Sequence, residues 1–258
     1  MEFEQLGHVF VTSRDIAILL SLYENTVMTF SQLARRHFLN LAKPTAINRL
    51  TKLESAGLLR RERIPKMELG RDNGAVGVIF QITRRGILRL KERHPEIVFK
   101  PEPIRTHPYT LNHDLIVNDV MEALRLRCGG EKIINGKLLG ASSHLSQRKD
   151  PDLVVVDGES GSRVAIEVEL NDKSEKRYRE IVLRYRMSRD YQKVVYFCAR
   201  RDIERAIQKV ILGRAPMKNE HPLTGKFYFA GLEQFLTTPM ELAVSNGEAN
   251  FWRNGECL

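Results

Sequence analysis

Apolar positions recur at helical spacing from Thr12 onward. In TSRDIAILLSLYEN, Ile16, Leu19, Leu20 and Tyr23 line one side, with Ser13 as the expected N-cap. TFSQLARRHF follows as a short second helix, with Leu33 and Phe38 inward and Arg35 and Arg36 outward. A third helix, PTAINRLTKLESAGLL, opens with Pro44 in its first turn and ends near Gly57. Ile47, Leu50 and Leu53 form its apolar stripe, leaving Thr45, Asn48, Arg49 and Lys52 on the opposite, wet face. Two β-like runs come next, LLRRERI and VGVIFQIT, separated by the turn-rich GRDNGA.

Three helices and then a hairpin is the layout of a winged helix-turn-helix. The run Ala46-Ile47-Asn48-Arg49-Leu50, with Leu53 and Gly57-Leu58-Leu59, resembles the recognition helix and first wing strand of that superfamily. Such a helix enters the major groove of DNA, and Asn48 and Arg49 are side-chain types that read base edges, while a wing residue such as Arg71 sits near phosphate. The same module can also serve only dimerisation or protein contacts.

The pattern then breaks. KERHPEIVFKPEPIRTHPY carries Pro95, Pro101, Pro103 and Pro108, which forbid a long helix, so it reads as an extended linker. The expected division is a first domain over 1–98, a linker over 99–110 and a second domain over 111–258. TLNHDLIVNDVMEALRLR is a helix in which His113, Val117, Val120 and Leu124 share one face. His113 therefore points towards whatever this helix packs on, as a core histidine or a functional one.

After it come GEKIINGKLLG (a strand), PDLVVVD (a strand), a GESG turn and RVAIEVEL (a strand). SEKRYREIVLRYRMSRD is a basic amphipathic helix, KVVYFCA a strand, RDIERAIQKVILG a helix, and KFYFAGLEQFL a short strand and helix. Mixed strands with flanking helices predict an α/β (α+β) second half.

RVAIEVEL raises a chemical question, because a core strand does not normally hold acid. Val164, Ile166, Val168 and Leu170 face one way, and Ala165, Glu167 and Glu169 the other. The two carboxylates are about 7 Å apart along the strand, from two steps of ~3.3 Å. If PDLVVVD pairs through the GESG hairpin, Asp152 at its start lies beside them. Three carboxylates so close repel unless a hard divalent cation such as Mg²⁺ or Mn²⁺ neutralises them. Acids lying on the solvent face of a hairpin would leave the same pattern.

Charge adds a partner. The 258 residues carry a net charge of +9, and residues 1–98 hold 16 Lys+Arg against 10 Asp+Glu, which makes the first third the more basic and suits nucleic acid. Cys128, Cys198 and Cys257 follow neither a disulfide nor a zinc spacing. With no apolar run near ~20 residues and no signal peptide in MEFEQLGHVFVTSRD, a cytoplasmic protein without membrane insertion is expected.

Pro151-Asp152 followed by Glu167-Val168-Glu169 resembles the PD-(D/E)xK nuclease core, with Glu169 where the pattern has Lys; Lys173, four residues on, supplies a displaced positive charge. In combination with the first half, with Leu-Asn-His113-Asp114 and with Leu183-Arg184-Tyr185, the chain is similar to the replication-relaxation proteins over roughly residues 12–212, and most similar to the MOBC-class relaxases of mobilizable plasmids. That resemblance implies a winged helix that recognises double-stranded plasmid DNA at the origin of transfer. It also implies a restriction-endonuclease-like domain, with a mixed sheet, that nicks one strand with Mg²⁺ or Mn²⁺ at His113, Asp152, Glu167 and Glu169. Relaxosome proteins, a coupling protein and a second copy of the chain are the partners it implies. Two other readings remain open: a non-catalytic accessory or transcriptional regulator with a degenerate nuclease-like domain, and a nuclease that cuts both strands. Tyr178 and Tyr185 are the nearby tyrosines for any covalent attachment to DNA.

Overall fold

A computed structural model describes residues 4–6, 9–64, 77–127, 132–139, 150–158, 160–213 and 225–237. The chain divides into two compact units, Met1–Asn118 and Asp119–Leu258.

In the first unit, β1 (Glu4–Leu6) and β2 (Val9–Val11) form an antiparallel ribbon leading into α1 (Ser13–Asn25). Thr12, one residue before the expected Ser13, caps α1: its hydroxyl accepts from the Asp15 N–H, and the Asp15 carboxylate accepts from the Thr12 N–H at 2.6 Å. This reciprocal capping box satisfies donors that the first turn cannot pair internally. β3 (Met28–Thr29) runs into α2 (Phe30–His37), which Thr29 and Gln32 cap in the same way.

α3 (Lys43–Ser55) follows, with Pro44 at its start, where a missing N–H costs nothing. β4 (Leu59–Ile64) and β5 (Gly77–Ile82) pair antiparallel, and β3 joins the other edge of β5. α4 (Arg84–Arg93), which the hydrophobic pattern did not announce, is capped by Thr83, whose hydroxyl accepts from Gly86 N and donates to Gly57 O. A Cβ on Gly86 would stand 2.2 Å from the Leu58 carbonyl oxygen, so the close seat of α4 requires glycine there.

Ile18, Leu19, Leu22, Leu33, Leu50, Leu53, Phe80, Ile87 and Leu90 fill one core, and Phe99 belongs to it too. The proline-bearing stretch is thus irregular in backbone but anchored. Phe99 packs edge-on against Tyr23 at 4.9 Å, and the Lys100 N–H donates to the Tyr23 hydroxyl. α5 (Pro108–Arg127) then sets Leu111 and Leu115 against Val27, Ile64 and Ile79. The division between units falls inside this helix, after Asn118.

The second unit is a five-stranded mixed sheet flanked by helices. β6 (Lys132–Asn135), β7 (Leu153–Val156) and β8 (Arg163–Glu169) are antiparallel neighbours. β9 (Lys193–Cys198) and β10 (Phe227–Gly231) then add in parallel beyond β8. The parallel steps are crossovers through α7 (Glu175–Met187) and α8 (Arg201–Leu212). The run expected as a single strand, GEKIINGKLLG, is β6 followed by the one-turn helix α6 (Gly136–Leu139).

α7 and α8 cover the sheet face that carries Ala165, Val194, Tyr196 and Cys198. α9 (Leu232–Thr237) sets Phe235 on Phe197 at 4.2 Å. Among the described residues, no helix is long and apolar enough to cross a membrane.

Candidate functional site

In α3 the inward positions are Ala46, Leu50 and Leu53, a spacing of four and three. Ile47, expected in that stripe, is exposed. Thr45, Asn48 and Lys52 are exposed on the same helix, as expected of a face that meets solvent or a partner. Arg49 is placed otherwise: its guanidinium is bonded to Asp15, which is 0% exposed, and its Nη2 donates to the Phe10 carbonyl at 2.6 Å. Burial alone would raise the Asp15 pKa, but hydrogen bonds from Arg49 and Thr12 hold it below the ordinary value. Arg71 lies outside the described residues, as do Cys128 and Cys257; Cys198 is a buried free thiol.

In the second unit the β7–β8 ladder pairs Leu153 with Ile166. Extending that register by one step brings Asp152 opposite Glu167, on the same face of the hairpin. The Asp152 carboxylate in turn accepts the Val168 N–H at 2.8 Å, which seats it over the β8 backbone between Glu167 and Glu169. Gly136 fixes the approach. Its N–H donates to the Asp152 carbonyl at 2.9 Å, and a Cβ there would lie 1.7 Å from the Pro151 carbonyl oxygen.

Glu167 and Glu169 are not on a solvent face: they are 0% and 1% exposed, on the side of β8 that α7 covers. Buried carboxylates need partners, and α7 and the turn before it provide them. The Tyr185 hydroxyl donates to Glu167, and Lys173 Nζ is ion-paired with Glu169 Oε2. Glu169 Oε1 is buried and has no hydrogen-bond partner, and the same is true of the Tyr196 hydroxyl, whose residue pairs with Glu167 across the β8–β9 ladder. Burial, reinforced by Glu167, pushes the Tyr185 phenol far up, and burial likewise raises that of Tyr178. Both rings are buried, so neither tyrosine is presented to a phosphodiester in this conformation.

His113 sits in the part of α5 that belongs to the first unit, whereas Asp152, Glu167, Glu169 and Lys173 belong to the second. It is partly exposed, with Nδ1 3.9 Å from the Asp114 carboxylate. Among the described residues, no three of His, Cys, Asp and Glu are gathered so as to hold a metal ion. The donor chemistry still suits a hard divalent cation: carboxylate oxygens only, one of them buried without a partner.

Fold and site together define a mixed α/β protein of two units, the first with an exposed polar helix face and the second with a row of buried carboxylates on its sheet. The sequence profile of the replication-relaxation family matches residues 19–198, more than half of the chain. The chain belongs to the replication-relaxation family, which suggests a role in plasmid replication or mobilisation. Among curated proteins and solved structures, none matches it. Two residues escaped the sequence reading, Tyr196 and Asp15. Only pairing across the sheet reveals the place of Tyr196 beside Glu167, and Tyr185, singled out there as a nearby tyrosine for covalent attachment to DNA, is the hydrogen-bond partner of that acid. For Asp15, nothing local named Arg49 as its partner.

Proposed function

We propose that the protein is a relaxase: it binds double-stranded plasmid DNA at an origin of transfer and nicks one strand. In this reading the first unit works as a winged helix-turn-helix, with Thr45, Asn48 and Lys52 facing the major groove. The second works as a restriction-endonuclease-like domain in which Asp152, Glu167 and Glu169 would hold Mg²⁺ or Mn²⁺. When bound, such an ion supplies an activated nucleophile and neutralises charge developing on phosphate. Lys173 holds Glu169 in place through its contact with Oε2, and Tyr185 orients Glu167. Relaxosome proteins, a coupling protein and a second copy of the chain are the partners this reading assigns.

The observation that carries the proposal is the unpartnered, buried Glu169 Oε1 in a row of acids that Asp152 joins through the Val168 N–H. A specific observation also favours a second reading, a non-catalytic accessory or regulator: Tyr185 and Lys173 already occupy both glutamates. Supercoiled plasmid carrying the cognate origin, incubated with Mg²⁺ or Mn²⁺ and separately with chelator, decides between them. Open circles formed only with metal, and lost in Asp152→Asn, support the relaxase. Linear product points to a double-strand nuclease, and undamaged plasmid with intact DNA binding to the accessory protein.

A further inference from the structure

Most tyrosine rings in the described structure are packed away, but one is not. Tyr109, at the start of α5, is 94% exposed. It is also not loose. Its ring stacks on His107 with centroids 5.1 Å apart and planes 26° from parallel.

The turn beneath the pair is tied by hydrogen bonds. The Tyr109 N–H donates to His107 Nδ1, and the Thr110 hydroxyl bonds both the His107 carbonyl and the Asp114 carboxylate. Holding an exposed aromatic pair in one geometry costs conformational entropy that water-facing rings do not repay by burial. What such a pair offers is a flat, preorganised π surface. Four residues along the helix from Tyr109 stands His113, a neighbour at i,i+4 on the helix surface. Two residues before His107 stands Arg105, exposed and in no ion pair among the described residues.

We propose that His107 and Tyr109 form a stacking platform for an unpaired base of a DNA strand, with Arg105 meeting the adjoining phosphate. Unpaired bases stack on aromatic side chains beside cations, tolerantly of sequence, because every base has a π face. The chain's net charge of +9 makes an anionic strand the matching occupant. The platform rests on the reading of the protein as a DNA-processing enzyme: a strand opened at a nick has bases to dock, and the platform would hold one a single helical turn from His113.

Fluorescence anisotropy with a short labelled single strand, the same strand carrying abasic positions, and a blunt duplex tests this in the full-length protein. Tyr109→Ala is expected to weaken single-strand binding roughly ten- to a hundred-fold while leaving duplex binding unchanged, and Tyr109→Phe to bind as wild type. The abasic strand should bind wild type as weakly as the intact strand binds Tyr109→Ala. Equal single-strand affinity of wild type and Tyr109→Ala overturns the platform, as does an equal loss on the duplex. No metal is present in these measurements, so the platform stands or falls separately from nicking: a protein that stacks bases but cuts nothing retains it and loses the relaxase reading.

Discussion

Arg49 Nε donates to Asp15 Oδ1 at 2.7 Å, and by that bond the third helix of the first unit is tied to the capped first turn of α1. Asp15 is therefore held from three sides, by Thr12 N–H, Thr12 hydroxyl and the guanidinium. A residue expected to read bases instead secures the helix that would do the reading. Arg49→Ala is expected to cost about 3 kcal/mol of stability, because it strands a buried carboxylate. Denaturant unfolding measures this. Because the folded pKa of Asp15 lies below its unfolded value, its contribution is present above about pH 4 and is lost as pH falls through the folded pKa. Arg49→Ala should remove that acid-side loss. DNA binding measured well below the variant's melting temperature should fall less than in Asn48→Ala, whose side chain is exposed on the same helix.

Gly136→Ala is the sharpest backbone test. The new methyl would meet the Pro151 carbonyl oxygen at 1.7 Å, so the segment before Asp152 must shift. Loss of roughly 2 kcal/mol or more is expected in thermal melts, together with loss of any metal response. An alanine variant as stable as wild type would contradict the close approach.

Tyr185→Phe removes the hydroxyl that donates to Glu167 and leaves a buried carboxylate short of a donor. A loss of about 1–3 kcal/mol is expected in metal-free buffer. Mn²⁺ should restore part of it, so the rise in melting temperature with Mn²⁺ should be larger in the variant than in wild type. Asp152→Ala/Glu167→Ala should show no rise at all.

His37 shares a 2.8 Å hydrogen bond with Ser21, and burial, with Arg36 and Arg14 nearby, pushes its pKa from 6.5 down to about 4. The unfolded chain takes up this proton near pH 6.5, whereas the folded chain resists until about pH 4. Stability should be complete above that window and fall by on the order of 2–3 kcal/mol across it as pH drops. In His37→Gln the same stretch of the pH–stability curve should flatten, as read by urea midpoints.

Periodicity made the long elements legible. α1, α3, α5, α7 and α8, the β7–β8 hairpin and the acid face of β8 all follow from spacing two or spacing three and four. Less legible was whatever depends on partners distant in sequence. Ile47 fits the stripe of α3 as well as Ala46 does, but only tertiary packing shows that the smaller residue faces in. α4 was hidden because RRGILRLKER is rich in charge and carries in its first turn a glycine that serves close packing rather than a chain turn. The acids were read from alternation correctly as to face; that this face lies under α7, with Tyr185 and Lys173 as partners, is a property of the crossover and not of the strand. Nor did the proline stretch disclose that Phe99 anchors it.

The tight end of the β7–β8 hairpin lies at the opposite end of these strands from Asp152. There Asp157 N–H bonds the Ser162 carbonyl at 2.9 Å, Ser160 N–H bonds the Asp157 carboxylate at 2.7 Å, and Gly161 takes φ 70°. Strand side chains alternate, so one residue gained or lost in that turn would rotate β8 by half a period. Glu167 and Glu169 would then project among Phe197 and Phe235, and Val168 would stand where the acids belong. The turn lies at the far end of the strands from Asp152, yet it acts as a ratchet stop for the acids on the sheet: its length is a digital setting, and every second tooth points the chemistry into oil.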